Sequence, residues 1–113
     1  MMSHEYNKAV KMLEEVIAYF VSHRMMELEM NISIKSDVSI ITVSGLTKTQ
    51  PDDLNQLSQS LNNPRQPEVE EYYWRLLGGN NKTEQLHLLG ALVDEANIMF
   101  DDHRLTITLT RKK

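Results

Sequence analysis

The chain has 113 residues, 41% of them hydrophobic and 25% charged, which is typical of a globular protein. We therefore expect a single domain over residues 1–113, large enough for one hydrophobic core. The net charge of −4 argues against a nucleic-acid-binding protein, and the short basic tail Arg111-Lys112-Lys113 does not change this. The absence of cysteine excludes disulfides and thiolate chemistry and fits the cytoplasm. No apolar run is long enough to span a membrane.

The first half of the chain predicts a long helix and a hairpin. Apolar residues recur at helical spacing from residue 4 to about residue 30, which predicts one helix over that range. Ile32 and Ile34 then alternate with polar residues, as in a strand. Ser36-Asp37 is typical of a turn, and the apolar run at residues 38–43 predicts the second strand of the hairpin.

Two shorter helices are predicted in the middle of the chain. Pro51-Asp52-Asp53 is typical of a helix start, because proline loses no hydrogen bond there and acidic side chains favour the positive end. This helix ends at residues 62–64, and the next begins at Pro67 and ends at residues 78–79. The expected inner faces are Leu54, Leu57 and Leu61 in the first helix and Val69, Tyr73, Leu76 and Leu77 in the second.

The last third of the chain predicts a helix that leads into a closing hairpin. From Thr83 to Ala96 the apolar residues follow the helical period. Residues 105–110 then alternate between apolar side chains and threonine, which predicts a strand with one buried face. The polar turn at residues 101–103 pairs this strand with residues 98–100.

The order of elements indicates the fold class. Helix, two strands, three helices and two strands predict an α+β two-layer sandwich, with helices on one face of a mostly antiparallel sheet. We expect the strand at residues 38–44 to be central and the strand at residues 105–110 to lie beside it.

The sequence resembles one family. The run Leu92-Val93-Asp94-Glu95-Ala96, with the strand, acidic turn and strand that follow it, resembles the C-terminus of the histidine-kinase-like ATPases. The element order resembles the stand-alone anti-sigma-factor serine kinases of bacteria. Glu15, Tyr19 and His23 are spaced four apart, similar to the family's first nucleotide motif of glutamate, asparagine and a lysine or histidine. Residues 40–44 resemble the strand before its second motif. The resemblance implies the histidine-kinase-like ATPase fold and, in intact members, a site for ATP and magnesium.

The departures from this family fall on the nucleotide motifs. Tyr19 replaces the asparagine that holds magnesium, and it is a poor ligand for that ion. Gly45 replaces the aspartate that accepts a hydrogen bond from adenine, and it has no side chain to accept one. Thr47 and Thr49 stand near the places of glycines, and Glu84 puts a carboxylate where the phosphates would lie. The sequence therefore predicts a degenerate nucleotide site.

Two functions from different classes remain open. The first is a non-catalytic regulatory protein of anti-sigma-factor-like fold that binds another protein and needs no cofactor or metal. The alternative is a divergent ATP-binding anti-sigma factor with serine/threonine kinase activity, in which ATP and magnesium bind and Glu15 is the general base. A third, less specific possibility is a structural subunit that only resembles the family.

The candidate residues have structural interpretations as well. Glu15 also fits a surface or capping carboxylate, and Tyr19 fits an aromatic side chain that fills the vacated pocket. Trp74 and Tyr72, with the adaptable side chains Met25 and Met26, are the candidates for partner binding if they are exposed. Ordinary core packing is about equally expected for the aromatic residues. We expect the partner to be a protein, for example a sigma factor or its antagonist, and we expect a homodimer. The four scattered histidines predict no metal site.

Overall fold

The structure is a computed structural model that describes residues 4–25, 27–62, 66, 68, 70, 74 and 89–112. The prediction of one domain over residues 1–113 extends beyond these residues and stays a prediction. The described elements are, in chain order, α1 (His4–Ser22), β1 (Leu28–Ile34), β2 (Val38–Leu46), α2 (Leu54–Leu61), β3 (Glu95–Asp101) and β4 (Arg104–Lys112).

The four strands form one antiparallel sheet in the order β1-β2-β4-β3. The inner strand β2 pairs with β1, where Ile41 lies opposite Ile32, and with β4, where Val43 lies opposite Ile107. Both predicted hairpins are confirmed. The prediction that β2 is central, with β4 beside it, is also confirmed.

Two helices pack on this sheet, an arrangement compatible with the predicted two-layer sandwich. In β4 the apolar side chains Leu105, Ile107 and Leu109 are buried, whereas the threonines between them are only partly buried. Helix α1 packs mainly on β2, and α2 packs on β3. The core between the layers includes Met12, Val16, Phe20, Ile41, Val43, Leu57, Leu61, Leu105, Ile107 and Leu109.

The β3–β4 turn contains two residues with positive φ. Asp102 has φ 51° and His103 has φ 64°. A two-residue hairpin loop of type I′ needs positive φ at both central positions, because only this twist matches that of the flanking strands. The predicted acidic turn is confirmed, although Asp101 belongs to β3.

Helix α2 buries Leu54, Leu57 and Leu61, as predicted. It begins at Leu54 and not at Pro51, because residues 51–53 form a turn before it. Its end is held by Asn62, whose side chain donates to Ser58 O (2.9 Å) and accepts from Ala96 N (3.0 Å). Gly90 packs directly on this end of α2, since a Cβ there would lie 1.9 Å from Ser60 O.

The predicted length of the first helix is wrong. Helix α1 ends at Ser22, and Arg24 adopts a positive φ of 67° that helical backbone does not allow. Leu28 and Met30, which we expected in the helix, belong to β1 and continue the period-two pattern of Ile32. The helical spacing of Leu28 with the preceding apolar residues was therefore coincidental.

The helix predicted up to Ala96 is wrong at its C-terminal end. Glu95 and Ala96 begin β3 and pair with Thr110 and Leu109. Residues 89–91 form only a short helical turn before it. The described members of the apolar stripe, Leu89, Val93 and Ala96, are buried as expected, but burial of irregular backbone gives the same pattern. Residues 83–88, and most of the helix predicted from Pro67, lie outside the described residues.

Arg111 is not part of a basic tail. Its guanidinium is buried in β4, donates to Leu92 O and donates to Glu70 Oε1 at 3.0 Å. It also lies 5.4 Å from the centre of the Trp74 ring. These contacts hold Glu70 and Trp74 against the end of the sheet. Among the described residues, no helix is both long and apolar enough to cross a membrane.

Candidate functional site

The residues that resemble the first nucleotide motif lie where α1 meets the start of α2. The Tyr19 hydroxyl donates a hydrogen bond to Asp53 Oδ1 at 2.8 Å. Asp53 is the residue before α2, but its side chain makes no capping hydrogen bond to that helix. Its carboxylate therefore accepts from α1 and links the two helices.

Burial raises the pKa of Tyr19 above its ordinary value, and the hydrogen bond and the negative charge of Asp53 raise this pKa further. The phenol consequently stays neutral at physiological pH and acts as a donor. A neutral phenol that already donates to a carboxylate is a poor replacement for the oxygen ligand that magnesium requires. The Tyr19 side chain belongs to the buried core, and its hydroxyl reaches Asp53.

His23 completes this cluster from one residue beyond the end of α1. Its ring lies against the Tyr19 ring, with centroids 4.3 Å apart, and its Nδ1 faces Tyr19 O at 3.0 Å. Because a carbonyl only accepts, Nδ1 carries the proton and Nε2 points towards Asp53 Oδ1, 3.8 Å away. The predicted stripe of Tyr19 and His23 is therefore present as a contact between rings.

Glu15, the third member of the stripe, is buried. The interpretation of Glu15 as a surface carboxylate is wrong, because α1 turns this position towards the interior of the protein. Glu84, the carboxylate expected near the phosphates, lies outside the described residues. Within the described part of the chain, no group of three or more histidine and acidic side chains is placed to hold a metal ion.

Gly45 is enclosed by apolar side chains. A Cβ at this position would lie 2.8 Å from Leu28 Cδ2, 3.2 Å from Phe20 Cδ2 and 3.5 Å from Met25 Cβ. Glycine is therefore explained by close packing between α1, β1 and β2. The three atoms nearest to such a Cβ all belong to apolar side chains, and they leave no room for a carboxylate unless they move.

Next to this cluster lies an open groove of about 670 Å³, which we call the basic groove. It is lined by His23, Arg24, Leu46, Thr47, Lys48, Thr49 and His103. The loop after β2 is fixed on the β3–β4 turn, because Thr47 N donates to His103 O at 2.8 Å. The Thr47 hydroxyl donates to Thr49 O, and His103 Nδ1 donates to Lys48 O. The two threonines thus lie at the groove.

The basic groove has a different electrostatic character from the chain as a whole. Arg24 and Lys48 contribute positive charge, the two histidines contribute ring nitrogens, and none of the lining residues described is acidic. Such a groove attracts anions in general, whether phosphates or carboxylates. The sequence reasoning missed Arg24, Lys48 and His103, which come from three separate loops.

Trp74 and Met25, two of the partner-binding candidates, are buried. The condition of exposure is therefore not met, and the alternative of core packing holds for both: Trp74 lies under the Arg111 guanidinium, and Met25 packs near Gly45 at the end of α1. Neither can anchor a partner while the protein keeps this packing. Tyr72 and Met26 lie outside the described residues.

Six large apolar side chains among the described residues are exposed: Leu46 on β2, Met99 on β3, and four that lie on one flank of α1 and on β1. Tyr6 and Val21 on the helix, with Met30 and Ile32 on the strand, are the exposed members, and we call them the α1–β1 surface. On α1, Tyr6 and Val21 are the two ends of a stripe at helical spacing that also contains Val10, Leu13 and Ile17.

Helix geometry places this stripe on the side of β1. Successive residues are rotated by about 100° around a helix axis. Tyr19 faces α2 through Asp53, and Phe20 faces Gly45 and Leu28, towards β1. Val21 therefore points further to the same side. The exposed apolar residues of α1 and of β1 therefore face the same side of the protein. A period-two reading of Leu28, Met30, Ile32 and Ile34 would have found its strand from sequence.

No family model, curated protein or solved structure matches this chain. The resemblance to the histidine-kinase-like ATPases therefore stays a prediction from the sequence.

Proposed function

We propose that this chain is a non-catalytic regulatory protein of the anti-sigma-factor type, which acts in the cytoplasm by binding another protein and without ATP. The observation that carries the proposal is the α1–β1 surface. Met30 and Ile32 are 47% and 40% exposed, although the side chains opposite them on β2, Val43 and Ile41, are fully buried. Apolar side chains that remain exposed together are typical of protein-binding surfaces.

The Tyr19 cluster supports the part of the proposal that concerns ATP. Tyr19 stands at the position that resembles the magnesium ligand, and its hydroxyl is already bonded to Asp53. Gly45, at the position that resembles the adenine acceptor, is packed against Leu28 and Phe20. Binding the nucleotide as the family does would require the Tyr19–Asp53 hydrogen bond to break. It would also require Leu28 and Phe20 to move away from Gly45.

Site-specific photo-crosslinking in host cells tests the proposal. A photoreactive side chain at Ile32 should form an adduct with a protein, because this position is an exposed apolar position on β1. The matched control is Met99, which is comparably exposed on β3. We expect a discrete protein adduct from position 32 and little from position 99. Equal yields from the two positions, or no protein adduct from position 32, would contradict the proposal.

The basic groove favours a second candidate function, the divergent ATP-binding kinase. His23, Thr47 and Thr49 line it, and these positions resemble parts of the family's nucleotide motifs. In this candidate, phosphates would contact Arg24 and Lys48 in place of a magnesium-centred site. Phosphorylation of a protein substrate that is lost in Lys48→Ala would favour this candidate over the first.

A further inference from the structure

The two edges of the sheet differ in how they are protected. At the β3 edge, the Asn62 side chain accepts from Ala96 N at 3.0 Å, and α2 packs on the strand. Strand β1 pairs with β2 on one side, and no strand among the described residues pairs with its other side. An unprotected edge strand is able to pair with another chain.

The side chains of β1 match those of the same strand when it is reversed. In an antiparallel pair of β1 strands centred on Asn31, the residue numbers of facing residues add up to a constant, so Met30 faces Ile32. Leu28 then faces Ile34, and both apolar pairs lie on the side of the sheet that the helices cover. The apolar part of the strand is therefore self-complementary, as an interface with twofold symmetry requires.

The charges that flank β1 are complementary in the same register. Glu27 precedes the strand and Lys35 follows it, and pairing about Asn31 places Glu27 of one copy opposite Lys35 of the other. Their position parity places both on the outer face, away from the apolar pairs. The twofold axis repeats this contact, so that each dimer contains two pairs of opposite charge.

We propose that the partner at the α1–β1 surface is a second copy of this chain, joined by antiparallel pairing of β1 with β1 about a twofold axis at Asn31. This inference rests on the proposed function, since it names the partner of the same surface. The two sheets become one of eight strands, and the half-exposed stripes of the two α1 helices lie side by side above it. The arrangement covers Met30 and Ile32 and leaves the basic groove open.

A charge-swap experiment tests the pairing and its register. The dissociation constant of the dimer is measured by light scattering after size-exclusion chromatography over a wide dilution series. Glu27→Lys alone and Lys35→Glu alone place like charges opposite each other, and each should weaken the dimer about tenfold. The double variant restores opposite charges and should return to within about threefold of the wild type. Glu95→Lys on β3 makes the same change in net charge as Glu27→Lys and should have no effect.

Circular dichroism and thermal unfolding check that each variant is folded. A monomeric wild type, or a double variant that is no better than the two single variants, overturns the inference. The photo-crosslinking experiment at position 32 distinguishes a failure of the homodimer from a failure of the proposed function. An adduct with a different protein retains the proposed function and overturns the homodimer, whereas no protein adduct overturns both.

Discussion

The Tyr19 hydroxyl donates a hydrogen bond to Asp53, and this contact joins the C-terminal half of α1 to the start of α2. Tyr19 is buried and Asp53 is partly exposed, so the bond lies at the border between core and solvent. It uses the carboxylate that would otherwise cap α2. The same contact occupies the side chain at the position that resembles a magnesium ligand, which supports the proposal that the protein acts without ATP.

Removal of the Tyr19 hydroxyl is expected to destabilise the protein. Hydrogen bonds to a charged group contribute about 1.5–3 kcal/mol, so Tyr19→Phe should lower the free energy of unfolding by about that amount. Urea denaturation measures it. If the bond is as described, Tyr19→Phe and Asp53→Ala combine with less than additive loss. Strict additivity would argue against it.

The raised pKa of Tyr19 predicts a loss of stability in alkali. Burial and Asp53 make the folded protein hold the phenol proton more tightly than the unfolded chain, in which tyrosine titrates near pH 10. This contribution is fully present below about pH 10 and declines as the pH rises further, because the unfolded state then gains free energy by ionising. The free energy of unfolding should fall more steeply above about pH 10 in the wild type than in Tyr19→Phe. Parallel curves would show that Tyr19 is not responsible.

Gly45→Asp is expected to destabilise the protein without creating an ATP site. The new side chain would meet Leu28 and Phe20, and overpacking of a core costs about 1–3 kcal/mol before the burial of a carboxylate is counted. Gly45→Ala is the matched control and should cost less, because the ends of flexible side chains can move away from one methyl group. Thermal unfolding with and without ATP measures both effects. An ATP-dependent rise of the melting temperature in Gly45→Asp alone would mean that a nucleotide pocket adjoins this position.

Trp74→Ala is expected to damage the fold itself. Trp74 is buried beneath Arg111, and replacing a buried aromatic residue by alanine costs about 3–5 kcal/mol. The free energy of unfolding should therefore fall by that amount. If the variant instead kept its stability and lost only its partner, Trp74 would be an interface residue, which is one of the two alternatives that the sequence left open. Ile32→Asp is the matched contrast and should weaken assembly while the monomer stays folded.

Much of the sheet could be predicted from the sequence, because alternation in residues 105–110 and apolar content in residues 38–43 report directly on buried strands. Helix ends were less predictable. Nothing local marks Ser22 as the end of α1, since the residue with positive φ is Arg24 and not the usual glycine. The burial of Arg111 depends on Glu70, 41 positions away, and no local pattern indicates such a pair.

The candidate site shows the same division. The spacing of Tyr19 and His23 predicted that they share one face, and their rings are in contact. Asp53 was recognised only as a favourable residue for a helix start, because its partner is 34 positions away. The basic groove combines loops from three parts of the chain. Its positive charge could therefore not be predicted from the net charge of −4.

Thermal unfolding of the wild type in the presence of ATP and magnesium tests the central claim most directly. A ligand that binds only the folded state raises the melting temperature once its concentration exceeds its dissociation constant. Because Tyr19 and Gly45 are engaged in the chain's own contacts, we expect no rise up to about 5 mM ATP, above the range in which enzymes commonly bind substrates. A saturable rise of several degrees that requires magnesium and is lost in Lys48→Ala would contradict the account and place the nucleotide in the basic groove.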